Sequence, residues 1–210
     1  MISQDTIART QEQPNSLMKL LEKKTAELAT PPTSLNFATQ FLSDEEVPDL
    51  LKMLSNYQEI EFLDLSYNDI SNEGAMLLAT NLSVKHLNLS HNHLGDEAIH
   101  ALVKNPTIIS LSLAYNSLGN ASCGALATKP ELTQLNLEGN HISDLGLKQL
   151  VKNQPNLSEL KIGFNPISSK SLNSLMKLKK LHTLDLTGLD VPSPTAKRLL
   201  ANMNLKDLIY

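Results

Sequence analysis

The fold is decided by five stretches: IEFLDLSYNDI (residues 60–70), VKHLNLSHNHL (84–94), IISLSLAYNSL (108–118), LTQLNLEGNHI (132–142) and LSELKIGFNPI (157–167). Each reads apolar-x-x-Leu-x-Leu-x-x-Asn-x-apolar, with Ile162 replacing the second Leu in the last copy. They begin 24, 24, 24 and 25 residues apart, and self-similarity at such a period marks a solenoid.

Alternation of Leu with a polar residue predicts a short strand with its leucines on one face. Leu63 and Leu65, Leu87 and Leu89, Leu111 and Leu113, Leu135 and Leu137, and Leu160 and Ile162 then form two inward columns. Three residues on come Asn68, Asn92, Asn116, Asn140 and Asn165, whose amides can satisfy backbone groups where the chain bends out of the sheet. Between copies, Ala75 and Leu78, Ile99 and Leu102, Cys123 and Leu126, Leu147 and Leu150, and Leu172 and Leu175 keep a spacing suited to one buried helix face.

With these motifs the chain resembles leucine-rich repeat proteins. Its helix-sized return segments, with Gly74, Ala98 and Gly146 against the core, are most similar to the ribonuclease-inhibitor-like branch. The resemblance covers residues 32–210 once degenerate end repeats are included. It implies an α/β horseshoe arc with a parallel sheet on the concave face and short helices on the convex face. It also implies a non-catalytic scaffold that binds another protein. Some relatives activate small GTPases, which makes a GTPase regulator one alternative. The other is a bacterial effector that acts in a host cell by binding, since the Lys-, Asn- and Ser-rich, cysteine-poor composition resembles a bacterial version of a eukaryotic-type repeat.

Composition agrees. Apolar residues make up 41% of the chain but aromatic ones only 4%, with no Trp, so the core must be aliphatic. A single cysteine cannot form an internal disulfide, and MISQDTIARTQEQ lacks the apolar stretch of a secretory signal. No apolar run approaches the length of a membrane span. A cytoplasmic location follows as the expectation, or delivery into a host without a signal peptide.

Residues 1–14 read as a polar tail, and 15–31 as a capping helix with Leu17, Leu20, Leu21 and Leu28 on one face, ended by Pro31 and Pro32. A longer first turn follows, with Gln40 where Asn should stand, an acidic helix start at Ser43–Glu46, and Val47, Leu50, Leu51 and Leu54 as its buried face. The seventh turn has Leu189 in the Asn position, and Pro192 and Pro194 before a helix that buries Ala196, Leu199 and Leu200. Leu205 and Leu208 begin an eighth strand, whose bare edge predicts a weak homodimer.

On the concave face, Asp64, Asn88, Asn136 and Lys161 stand between the leucines, with Phe62, His86, Gln134 and Glu159 beside them. Two residues past the second Leu lies a rim column of Thr39, Tyr67, His91, Tyr115, Gly139, Phe164 and Gly188. Aligned rings mark contact sites, so the expected partner-binding set is Phe62, Asp64, Tyr67, His86, Asn88, His91, Tyr115, Gln134, Asn136, Glu159, Lys161 and Phe164. Alternatively, some rings fold back over the asparagine turns. Up to Leu147 there are 8 basic and 18 acidic residues; beyond it the numbers are 10 and 4. The two ends therefore carry opposite potentials.

Catalytic constellations are missing. Cys123 falls in register with Ala75, Ile99 and Leu147 and reads as an inert core thiol. His86, His91, His93 and His141 have no carboxylate or thiol completing a compact ligand set, so no metal is expected and no cofactor is implied. The two arginines, Arg9 and Arg198, lie off the concave face, leaving an arginine finger without a candidate. The net charge of -4 argues against nucleic acid as the ligand.

Overall fold

Leu-x-Leu alternation builds strands only three residues long, because one inward leucine pair is all that each turn supplies. A computed structural model describes residues 32–57 and 59–210. Its strands are β1 (Ser34–Asn36), β2 (Phe62–Asp64), β3 (His86–Asn88), β4 (Ser110–Ser112), β5 (Gln134–Asn136), β6 (Glu159–Lys161), β7 (Thr183–Asp185) and β8 (Asp207–Ile209). They form one parallel sheet in sequence order, with each leucine paired to the next: Leu63 with Leu87, Leu87 with Leu111, Leu111 with Leu135. The expected tail (1–14) and capping helix (15–31) lie outside the described residues.

The return segments are α1 (Val47–Leu54), α2 (Asn72–Asn81), α3 (Asp96–Leu102), α4 (Asn120–Leu126), α5 (Asp144–Leu150), a 3-10 helix (Leu172–Lys177) and α6 (Ser193–Asn202). Both strand leucines and the expected helix pairs are buried in one continuous core. Three details depart from expectation. Met53 joins the buried face of α1, while Leu51 packs only partly. The segment after β6 winds as a 3-10 helix, whose threefold period puts Leu172, Leu175 and Leu178 on one face. On α6, Leu200 faces solvent, because a helix starting at Ser193 turns only Ala196 and Leu199 inward.

Asparagine side chains bind neighbouring turns together. Asn92 accepts a bond from Ile70 N at 3.0 Å and donates to the carbonyls of Leu65, Leu89 and Ser90, thus touching its own turn and the one before. Asn68, Asn116, Asn140 and Asn165 each repeat the pattern. Two further ladders run through the helices. Asn72 Oδ1 accepts from Gly95 N, Asp96 Oδ1 from Gly119 N and Ser122 N, and Asn120 Oδ1 from Ser143 N and Gly146 N. The first turns of α2, α3 and α4 thus cap α3, α4 and α5. Where the chain leaves the helices, Asn105 donates to the carbonyls of Ala79 and Leu82, Lys129 Nζ to Asn105 O at 2.5 Å, and Gln154 to Leu126 O. Buried Lys129 is held below the ordinary lysine range by desolvation.

Candidate functional site

The strand faces opposite the core line a trough of about 400 Å³ that crosses β1 to β6. Its middle column does structural as well as surface work. Asp64 Oδ1 accepts from Ser66 N at 2.9 Å and from Ser66 Oγ, while Asn88 and Asn136 accept from Ser90 N and Glu138 N, each at 3.0 Å. Each bond braces the strand exit two residues downstream. Asp64, Asn88 and Asn136 are therefore partly committed to the backbone. Gln134 accepts from Ser110 Oγ at 2.9 Å, and Lys161 Nζ lies 3.7 Å from Glu159 Oε1.

The aromatic members are differently placed. Exposure is 45% for Phe62, 55% for Tyr67, 40% for Tyr115 and 51% for Phe164, so these rings face solvent on one side, while those of Tyr115 and Phe164 lie against Gly139 and Gly188 of the following turns. They also stack. Phe62 lies 4.0 Å from His86, while His91 sits between Tyr67 at 4.0 Å and Tyr115 at 4.4 Å, all near parallel. Burial holds the His86 imidazole below its ordinary pKa, with Glu61 opposing that shift. Tyr115 donates its hydroxyl to Glu138 Oε1 at 2.7 Å, which pushes its pKa up.

Every rim position adopts the left-handed backbone, from φ 48° at Phe164 through 53° at Tyr115, 54° at His91 and 56° at Tyr67 to 59° at Thr39. Only Gly139 and Gly188 do so without a side chain to strain. This geometry lets the chain bend at once after the second leucine and swing the next residue, the asparagine, into the core. The rim amides still extend the sheet: Tyr67 N donates to Ser90 O at 2.9 Å and Tyr115 N to Glu138 O at 2.7 Å.

This repeating turn, with its inward asparagine and outward rim, matches a known pattern. Two family models described as leucine rich repeat match the chain, one over residues 82–142 and the other over 60–79. Residues 60–79 and 82–142 are leucine-rich repeats. No curated protein matches it at a significant level. Leucine-rich repeats generally mediate protein–protein interaction and are typically non-catalytic. Among the described residues, no helix is long and apolar enough to cross a membrane.

Other residues singled out by the sequence fall elsewhere on the leucine-rich repeat arc. Cys123 is fully buried, its thiol pushed up to about 12 by desolvation. His93 stands 3.4 Å from Asp69 Oδ1, and no group of three metal-ligating side chains occurs among the described residues. Arg198, on α6, donates to Asn173 Oδ1 at 3.3 Å on the helical side. Two exposed rings lie outside the expected set, Phe41 and Tyr210, the latter 60% exposed. Phe41, also left-handed at φ 57°, follows Gln40 two residues past the rim position Thr39 and is 74% exposed.

Proposed function

We propose that this leucine-rich repeat protein is a non-catalytic scaffold that binds another protein on its concave sheet and aromatic rim. One observation carries the reading: bulky side chains occupy left-handed backbone positions while facing solvent. Such a conformation costs a non-glycine residue about 1–2 kcal/mol, and glycine would avoid it, as Gly139 does. The exposed rings stabilise no core in return, which argues that they are kept for contact. Within the expected set, Phe62, Tyr67, His86, His91, Tyr115 and Phe164 are the anchors. Gln134, Glu159 and Lys161 line the floor, and Asp64, Asn88 and Asn136 brace it.

Affinity capture with the purified chain, beside a Tyr67→Ala/Tyr115→Ala version, tests this. We expect the double change to weaken capture of a specific partner by a few kcal/mol at most, about a hundredfold, while leaving thermal unfolding unchanged. Equal capture by both versions would move the site off the rim. An effector that acts by binding would use the same face, and a eukaryotic lysate tests it in the same experiment. Among the described residues the GTPase-regulator alternative gains no arginine finger, since Arg198 lies on α6 and bonds to Asn173 of the 3-10 helix.

Short convex helices and small residues at Gly74, Ala98 and Gly146 support placement in the ribonuclease-inhibitor-like branch. The outward edge of β8 also supports weak self-pairing; a monomeric mass by light scattering at high concentration would exclude it.

A further inference from the structure

The rim stack is interrupted at one place, and the interruption has a size. Tyr67, His91 and Tyr115 stack in successive turns, the next turn offers only Gly139, and the one after it Phe164. A Cβ on Gly139 would lie 2.5 Å from Tyr115 Cδ1, and one on Gly188 2.5 Å from Phe164 Cδ1. Both rings therefore lean towards the following turn by the same amount. Their separation stays at two strand steps, about 9.6 Å. A flat group stacked at about 3.5–4 Å from each ring needs about 7–8 Å, so the gap admits one such group and not two.

Its chemistry is set by charge. Glu138 stands beside Gly139, and the Tyr115 hydroxyl engages one of its two carboxylate oxygens. Residues 32–147 hold 4 basic and 14 acidic side chains, which makes this part of the arc strongly attractive to cations. The nearest lysine along the sheet, Lys161, is offset by Glu159 at 3.7 Å. A phosphate-bearing base would fit the gap by shape but would meet the acidic field. A guanidinium is flat, cationic, able to stack on both rings and able to fork onto a carboxylate.

We propose that the break in the ring stack between Tyr115 and Phe164, where Gly139 supplies no ring of its own, is a slot for one arginine side chain of the partner protein, paired with Glu138. This rests on the rim being the recognition face. Lysine would fill the slot poorly, because an ammonium can neither stack as a plane nor make a forked pair.

The test uses amide-resolved NMR of the full chain titrated with acetyl-Gly-Gly-Arg-Gly-Gly-amide. Parallel titrations use the same peptide carrying citrulline, an uncharged isostere, and adenosine monophosphate. Saturable shifts centred on Gly139, Glu138 and Phe164 are expected with the arginine peptide, with binding at least about tenfold weaker for citrulline. Glu138→Gln and Phe164→Ala should each weaken the arginine peptide by about tenfold without changing the circular dichroism melt. Equal binding of citrulline, preference for the nucleotide, or no shift at Gly139 overturns the proposal. Tyr67 lies outside the slot and separates the two readings. If Tyr67→Ala loses the captured partner while Glu138→Gln and Phe164→Ala retain it, the slot falls and the rim stands; if all three retain it, the rim reading falls.

Discussion

Cys123 shows at the scale of one residue how the repeat decides chemistry. Its register with Ala75, Ile99 and Leu147 already marks it as core, and desolvation raises its pKa from 9.0 to about 12. The sign follows directly. Below pH 9 the thiol is neutral whether the chain is folded or unfolded; above it the unfolded chain loses the proton and the folded chain keeps it. Stability should therefore fall as pH rises from 9 towards 12, by about 1.4 kcal/mol per unit. Urea unfolding at pH 8 and pH 10.5 checks this. Cys123→Ala should start less stable and lose less over that interval; parallel losses would assign the alkaline instability to other groups. Other residues were less legible. That the rim is strained could not be read from Tyr67 or Tyr115, because ring chemistry is visible in a sequence and φ is not. Asp64 and Asn88 belong to the expected contact set, yet each also accepts from a backbone N–H two residues on, a common Asp and Asn habit that the residue type alone signals.

At the scale of the element, the helices depend on their neighbours. α3 and α4 have Gly95 and Gly119 at their N-caps and no cap of their own, and receive it from Asn72 and Asp96 one turn back. Asp96→Ala should cost about 1–2 kcal/mol in a urea titration, while His100→Ala, exposed on the same helix, should change stability by less than about 0.5 kcal/mol. Equal effects would reduce the inter-turn cap to a surface contact. The column Asp44, Asn72, Asp96, Asn120, Asp144 stands in plain sight at nearly the repeat period. It stays unread because capping is sought within a helix, not between helices. The inward strand leucines and the helix pairs from Ala75 and Leu78 to Leu172 and Leu175 were legible, since periodicity alone places them, whereas the exposure of Leu200 was not. The 3-10 winding of Leu172–Lys177 was not, because a three-residue spacing suits either helix type.

For the whole molecule, the bonding pattern makes stability a matter of adjacent turns. Asn92→Leu leaves buried groups of two turns unpaired and should cost about 2–3 kcal/mol. Asn92 and Asn116 share the Leu89 carbonyl, whereas Asn68 and Asn165 share nothing. Double-mutant cycles should therefore show coupling above about 0.5 kcal/mol for Asn92→Leu with Asn116→Leu, and additivity within that margin for Asn68→Leu with Asn165→Leu. Coupling between the distant pair would mean that the arc unfolds through a rigid unit spanning many turns. The overall architecture was legible because one motif repeats. The candidate site stands in the sequence only as a column of residue types, because a partner's shape leaves no period there.

The asparagine, cap and helix-exit ladders all reach one turn backwards and no further. A turn therefore carries its own instructions for attachment, and an extra copy of residues 84–107 would find both its upstream acceptors and its downstream donors ready made. The size of the recognition surface is thereby uncoupled from the integrity of the fold. Duplicating a short stretch of gene would lengthen the arc by one rung and widen its reach, without asking any existing residue to change its role.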